Sequence, residues 1–117
     1  RNPTVSLQGT SVQVEIADSS VERMQGLMFR KDLGPDQGML FVFPSDTQGP
    51  FWMRNTYIPL DLIFIDANRQ VVDLIPNAAP LSEKLLTPQS PYRYVLEVNA
   101  GFARVHAIQI GNVVRIP

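Results

Sequence analysis

Between Phe51 and Asp61 the chain carries Trp52, Arg54, Asn55, Thr56 and, just past Pro59, Asp61 itself. An aromatic face, a fixed cation and two hydrogen-bonding side chains this close together suit a sugar ring or a carboxylate ligand. Indole offers an apolar plate, and guanidinium a planar fork of donors. In an extended segment Trp52 and Arg54 share one face, and Met53 and Asn55 the other. Asp61 follows the turn through Pro59, so it can fold back toward Arg54. The same residues have a plainer reading: Trp52 in the core, Arg54 and Asp61 as a partly buried pair, and Asn55 and Thr56 as turn formers. Solvent access at Trp52 and Arg54 separates the two.

Other charged groups extend the list. Arg23 and Arg30 share one helical face if a helix runs that far; they would bind an anion or pair with acidic side chains. Asp61, Asp66, Asp73 and Glu97 lie in or beside predicted strands, where a lone carboxylate is usually exposed or paired, so Glu97 joins Arg23 and Arg30 as an anion-site or ion-pair candidate. A carboxylate hydrolase needs two carboxyls roughly 5–9.5 Å apart, and Asp61 with Glu97 is the pair to measure first. Asp66 is better placed to open the turn at Ala67-Asn68. His106, the only histidine, sits near the end of a short predicted helix, where it suits the helix C-terminus. With no cysteine and no second histidine, we expect no metal site and no cofactor. Met24, Met28, Met39 and Met53 read as core fillers.

These groups need elements to hold them. Val12, Val14 and Ile16 alternate with Gln13 and Glu15, the period of a half-buried strand. Ser19 and Glu22 form a capping box, which starts a helix whose buried stripe is Val21, Met24, Leu27 and Met28. Gly26 inside that helix suggests close approach to another backbone. Gly38–Phe43 reads as a strand closed by Pro44, and Phe51–Asn55 as another. Leu60–Asp66 has a non-alternating core, Leu62 to Ile65, so both its faces should be covered. A turn at Ala67-Asn68-Arg69 joins it to Gln70–Ile75 as a hairpin. Pro76 to Pro91 reads as loop, with room for a helical turn at Ser82–Leu86. Tyr92, Tyr94, Leu96 and Val98 share one face of the next strand, and Asn99 can cap a short helix carrying Phe102 and Val105. Gly111-Asn112 turns into a last strand, Val113–Ile116. The expected class is α+β: a small β-rich curled sheet or open barrel of six to seven strands, one main helix packed on it and a short C-terminal helix. Residues 1–10 read as a loose lead-in and 11–117 as one barrel-like domain. Val12, Val14, Met24, Leu27, Leu40, Val42, Leu62, Phe64, Leu96 and Val98 should share a single core.

Three stretches together resemble a known family. They are Arg23-Met24-Gln25-Gly26-Leu27-Met28-Phe29-Arg30, Gly38-Met39-Leu40-Phe41-Val42-Phe43, and the run from Phe51 through Asp66. Their order and spacing resemble the domain-of-unknown-function family 192, small bacterial and archaeal proteins, across roughly Val12 to Ile116. The resemblance implies a barrel-like β-rich domain with a packed helix and, for many relatives, export. It implies no activity. Where relatives often carry a Gly-Asp turn, this chain has Gly111-Asn112, which serves a turn equally well.

Composition bounds the rest. The 117 residues suit one domain, and 44% apolar with 18% charged residues is ordinary globular composition, read here as soluble. A net charge of −1 with mixed signs argues against nucleic acid as a partner, and no apolar run is long enough to span a membrane. Arg1 in place of Met is read as a removed export signal or a shortened chain, and the resemblance favours the first, hence a periplasmic or secreted location. Function is unknown at this level. The leading reading is a non-enzymatic binding module for a small polar ligand or glycan at Trp52, Arg54 and Asn55. The alternatives are a hydrolase through Asp61 and Glu97, and a structural or protein-interaction domain.

Overall fold

The structure, a computed structural model, describes residues 3–117. Six strands form one mixed sheet: β1 (Thr4–Leu7), β2 (Thr10–Ala17), β3 (Gln37–Thr47), β4 (Leu60–Ile65), β5 (Val71–Ala78) and β6 (Tyr92–Asn99), in the order β1-β2-β3-β6-β4-β5. Only β2 and β3 run parallel, joined across the short helix α1 (Ser20–Gln25); the other neighbours are antiparallel. A second short helix, α2 (Phe102–Val105), follows β6. The expected class, a curled β-rich sheet with two helices, is the observed one.

The sheet is not closed. Its last segment forms no strand, in place of the one expected over Val113–Ile116. Single bridges tie Arg115 to Ser6 on edge strand β1 and Val113 to Gln70 beside edge strand β5. This segment therefore draws the two edges toward each other, and Val114 is buried between them.

Local signals held where neighbouring residues set the geometry. Ser19 caps α1 and completes the box with Glu22. Asp66 opens the β4–β5 turn, its Oδ1 accepting from the N–H of Asn68 and Gln70 at 2.9 and 3.0 Å. β4 is buried along its whole length, although it lies one strand in from the edge and β3 and β6 are the central pair.

Other expectations are corrected. The lead-in is not loose, because Thr4–Leu7 pairs with β2 and buries Val5 and Leu7; Arg1 and Asn2 lie outside the described residues. The main helix is only six residues long. Gly26 ends it with φ +49°, a left-handed-side conformation open to glycine, and the surface it approaches is the Phe41 ring rather than a backbone. Val21 and Met24 consequently stay exposed, Met24 at 77%, while Leu27 in the turn beyond is buried. β3 does not stop at Pro44; its register with β6 shifts between Val42 and Thr47, an irregularity that spares Pro44 a ladder bond. Phe51–Asn55 is a loop, held by one bridge between Phe51 and Leu86. Ser82–Leu86 forms no helical turn.

The core is two clusters rather than one. Alternation places Met39, Phe41, Leu60, Leu62, Phe64 and Val95 on one face of the sheet. Leu40, Ile63, Ile65, Leu96 and Val98 lie on the other, with Val5 and Leu7 of β1, Val12 and Val14 of β2, and Phe102 and Ala103 of α2. Both faces are covered, which decides the environment of every charged residue on β4 and β6.

Candidate functional site

Glu97 is the side chain that this architecture isolates. It stands on β6 opposite Met39 of β3 and Leu62 of β4, so it projects into the cluster containing Phe41, Leu62 and Phe64. Only 5% of the residue is exposed. No hydrogen bond or ion pair to its carboxyl is present among the described residues. Burial without a compensating charge raises its pKa from 4.5 to about 8, because the apolar surroundings penalise the carboxylate.

The carboxyl is not sealed in. It lines a cavity of about 400 Å³ whose walls include Leu27, Phe41, Phe51, Met53 and Tyr92. Arg23, Met24 and Trp52 also line it. Met24 is exposed and Trp52 is 38% exposed, so these form the rim while Glu97 lies at the floor. The walls are rigid for identifiable reasons. Phe51 meets Phe41 and Phe64 edge-to-face at 5.2 and 5.8 Å, and Phe64 meets Tyr92 at 5.0 Å. Tyr92 donates its hydroxyl to the Gly49 carbonyl at 2.7 Å, and burial pushes its pKa up to about 12. The loop carrying Trp52 is pinned by backbone bonds from Phe51 to Leu86, from Met53 to Ser82 and from Leu81 to Thr56.

The expected cluster is thus partly assembled. Trp52 reaches solvent and rims a concave surface, and the Arg54 guanidinium lies over its ring at 5.3 Å. Arg54 is exposed and does not line the cavity. Asn55 is a turn residue with φ +54°, its carbonyl accepting from the Phe29 N–H. Thr56 is buried, and its hydroxyl donates to the Arg54 carbonyl at 3.0 Å, which closes the same turn.

The Arg54–Asp61 pair does not form. Asp61 is 1% exposed and faces the other side of the sheet. Its Oδ1 accepts from the Asn77 N–H at 2.9 Å, and its Oδ2 from the N–H groups of Gly101 and Ala103 at 3.1 and 2.9 Å. A carboxylate from β4 therefore caps α2, the role expected of Asn99. Asn99 instead donates to the carbonyls of Leu33 and Gly34. Asp61 and Glu97 project from opposite faces and do not converge.

Arg23 and Arg30 share no helical face, because α1 ends before Arg30. Arg30 pairs with Glu15, two bonds at 2.6 and 2.7 Å, which lowers the Glu15 pKa. Arg23 donates to the Val42 carbonyl at 2.9 Å and lies over the Phe43 ring at 5.2 Å. Asp73 accepts from the Leu74 and Gln89 N–H groups, tying the proline-containing loop to β5. His106 is the C-terminal cap residue of α2 and packs on Phe102 at 4.3 Å. Among the described residues no three His, Asp or Glu side chains converge as a metal site would require.

Sequence reasoning set Glu97 down as an anion-site, ion-pair or hydrolase residue and missed its isolation in an apolar pocket. The available signal was Val95-Leu96-Glu97-Val98, a carboxylate in a run whose two faces are both apolar.

Comparison with known proteins agrees with this fold. A UPF0127 protein of Pyrococcus furiosus is 28% identical over 103 residues, 86% of this chain and 84% of its own. One from Pyrococcus horikoshii is 33% identical over 91 residues, 73% of this chain and 70% of its own. A solved structure of a protein of unknown function from Novosphingobium aromaticivorans superposes with a TM-score of 0.92 at 39% identity, covering 96% of this chain and 83% of that one. Another, from Sinorhizobium meliloti, whose name proposes a transcription regulator, has a TM-score of 0.92 at 36% identity, covering 98% and 93%. The family model DUF192, described as Uncharacterized ACR, matches residues 3–116, and the chain belongs to that family.

Proposed function

We propose that the protein is a binding module for a small organic ligand that enters beneath Trp52. The observation that carries this reading is an aromatic-walled cavity of about 400 Å³ with one unpartnered carboxyl at its floor. Pockets of this size with few polar groups are how proteins hold small molecules. The lining also narrows the ligand. The hydroxyls of Thr56 and Tyr92 are committed to backbone carbonyls and Thr47 Oγ1 to the Gly49 N–H, and Ser20 and Gln25 are exposed residues of α1, so Glu97 is the free polar side chain in the buried part of the cavity. A compact molecule with an apolar body and one polar end fits better than a glycan. Arg54 acts through Trp52, holding the indole plane at the rim. A two-carboxylate hydrolase gets no support, because Asp61 faces away from Glu97.

A titration with 2-phenylethanol followed by protein-observed NMR tests the reading. Saturable shifts should appear at the indole N–H of Trp52 and at the Met24 and Met53 methyls. Failure of these signals to shift saturably with 2-phenylethanol, and equally with amine and carboxylate probes of the same shape, would overturn it.

The periplasmic or secreted location remains a proposal that rests on the family resemblance. Fractionation of the native source tests it, and recovery in the cytosolic fraction would count against it. In the described residues no helix is long and apolar enough to cross a membrane.

A further inference from the structure

We infer that the ligand of this pocket is an organic ammonium, with Glu97 as its counter-ion and the aromatic walls as its cation–π partners. The inference rests on the binding-pocket reading and names the ligand class for it.

Three observations converge. Glu97 is nineteen-twentieths buried, lacks a partner and borders open space rather than packed atoms. A carboxyl in that setting is costly to ionise unless a cation arrives with the ligand. Next, aromatic side chains contribute to its walls, those of Phe41, Phe51 and Tyr92, with Trp52 at the rim. Ring faces carry negative quadrupole charge, so they favour a cation and disfavour a second anion. Finally, the protein supplies no cation of its own at the floor. The groups facing Glu97 across the sheet are the apolar Met39 and Leu62. Tyr92 is held protonated on Gly49. Arg23, the one cationic side chain lining the cavity, is anchored at Val42 and Phe43. Phe43 is four residues along β3 from Met39, roughly 13 Å of strand. Arg23 therefore closes the rim and leaves the floor unneutralised.

Two other ligand chemistries are separable from this one. A neutral ligand would use the protonated Glu97 as a hydrogen-bond donor. An anionic ligand would seek the free donors of Arg23. The ammonium and the neutral ligand make opposite demands on pH. An ammonium must displace the Glu97 proton on binding, so its affinity rises with pH until the carboxyl is already ionised. A ligand that accepts from the protonated carboxyl weakens over the same interval.

The test uses three probes of similar shape: 2-phenylethylamine, 2-phenylethanol and 3-phenylpropionate. Each is titrated into the protein and into Glu97→Gln at pH 6, 7 and 8. The amine should bind at least about tenfold tighter than the alcohol at pH 8, tighten about tenfold from pH 6 to 7 and about fivefold from 7 to 8, and release a proton. In Glu97→Gln, a neutral near-isostere, the amine should lose that preference and its pH dependence, and binding of the alcohol should become independent of pH. Should the variant fail to fold, the pH series on the parent protein decides alone. Equal or tighter binding of the alcohol overturns the ammonium inference but leaves the pocket reading standing. So does tightest binding of the propionate. If none of the three binds saturably, the pocket reading itself fails and the inference with it.

Discussion

Asp61 and Glu97 stand on adjacent strands and point away from each other: Asp61 is paired with Val98, Glu97 with Leu62, one register step apart. Cross-strand partners share a face, so a single step sends one carboxyl to each side of the sheet. On one side backbone N–H groups surround the carboxylate. On the other nothing does. The two acids are buried to a similar extent and have opposite roles, which the following measurements distinguish.

Asp61→Ala should be severely destabilising, while Arg54→Ala should be nearly silent. The first leaves the N–H groups of Asn77, Gly101 and Ala103 without their acceptor and should cost about 3–5 kcal/mol in urea denaturation. The second removes only an exposed cation–π contact, worth about 0.5–1 kcal/mol. Equal destabilisation by both would revive the Arg54–Asp61 pair.

Glu97 should make stability fall as pH rises. Its folded pKa, about 8, lies above the ordinary 4.5, so between those values the folded state holds a proton that the unfolded state has released. The slope in that window is about −1.4 kcal/mol per pH unit for one such proton. The stabilisation is fully present below pH 4.5, is lost progressively toward pH 8, and the curve is level above it. The lowered pKa of Glu15 acts below 4.5 and leaves this window alone. Denaturation midpoints at pH 5, 6, 7 and 8 should decline for the parent and stay flatter for Glu97→Gln. Parallel curves would place the carboxyl in water.

Gly38→Ala should disrupt the central strand pair. A Cβ there would lie 2.5 Å from the Glu97 carbonyl oxygen, a main-chain atom that cannot step aside, and close to Val98 and Val12. Overpacking of this kind should cost about 3 kcal/mol. Gly49→Ala is the control: its Cβ would meet Thr47 Oγ1 at an ordinary 3.4 Å, and its effect should stay below about 1 kcal/mol.

Phe64→Ala should cost about 3–5 kcal/mol, since it empties the space between Phe51 and Tyr92 and leaves a cavity behind the pocket wall. An unchanged denaturation midpoint would show that the aromatic cluster does not carry the fold.

What the sequence determined by itself is local. The alternation from Val12 to Ile16, the Ser19–Glu22 box, the Asp66 turn and the apolar run Leu62 to Ile65 each depend on residues a few places apart, and each appears where the sequence places it. The family resemblance was legible for the same reason, carried by short contiguous motifs. What only the tertiary structure decided is the company each charge keeps. Nothing near Glu97 in the chain announces that α1, the turn at Leu27 and the Phe51–Thr56 loop cover its face of the sheet. Nothing near Asp61 announces that Gly101 and Ala103, forty residues and more away, will bring their N–H groups to it. A strand's period of two states that successive side chains face opposite ways, but which face is dry, and which carboxylate finds donors there, depends on contacts between segments distant in sequence.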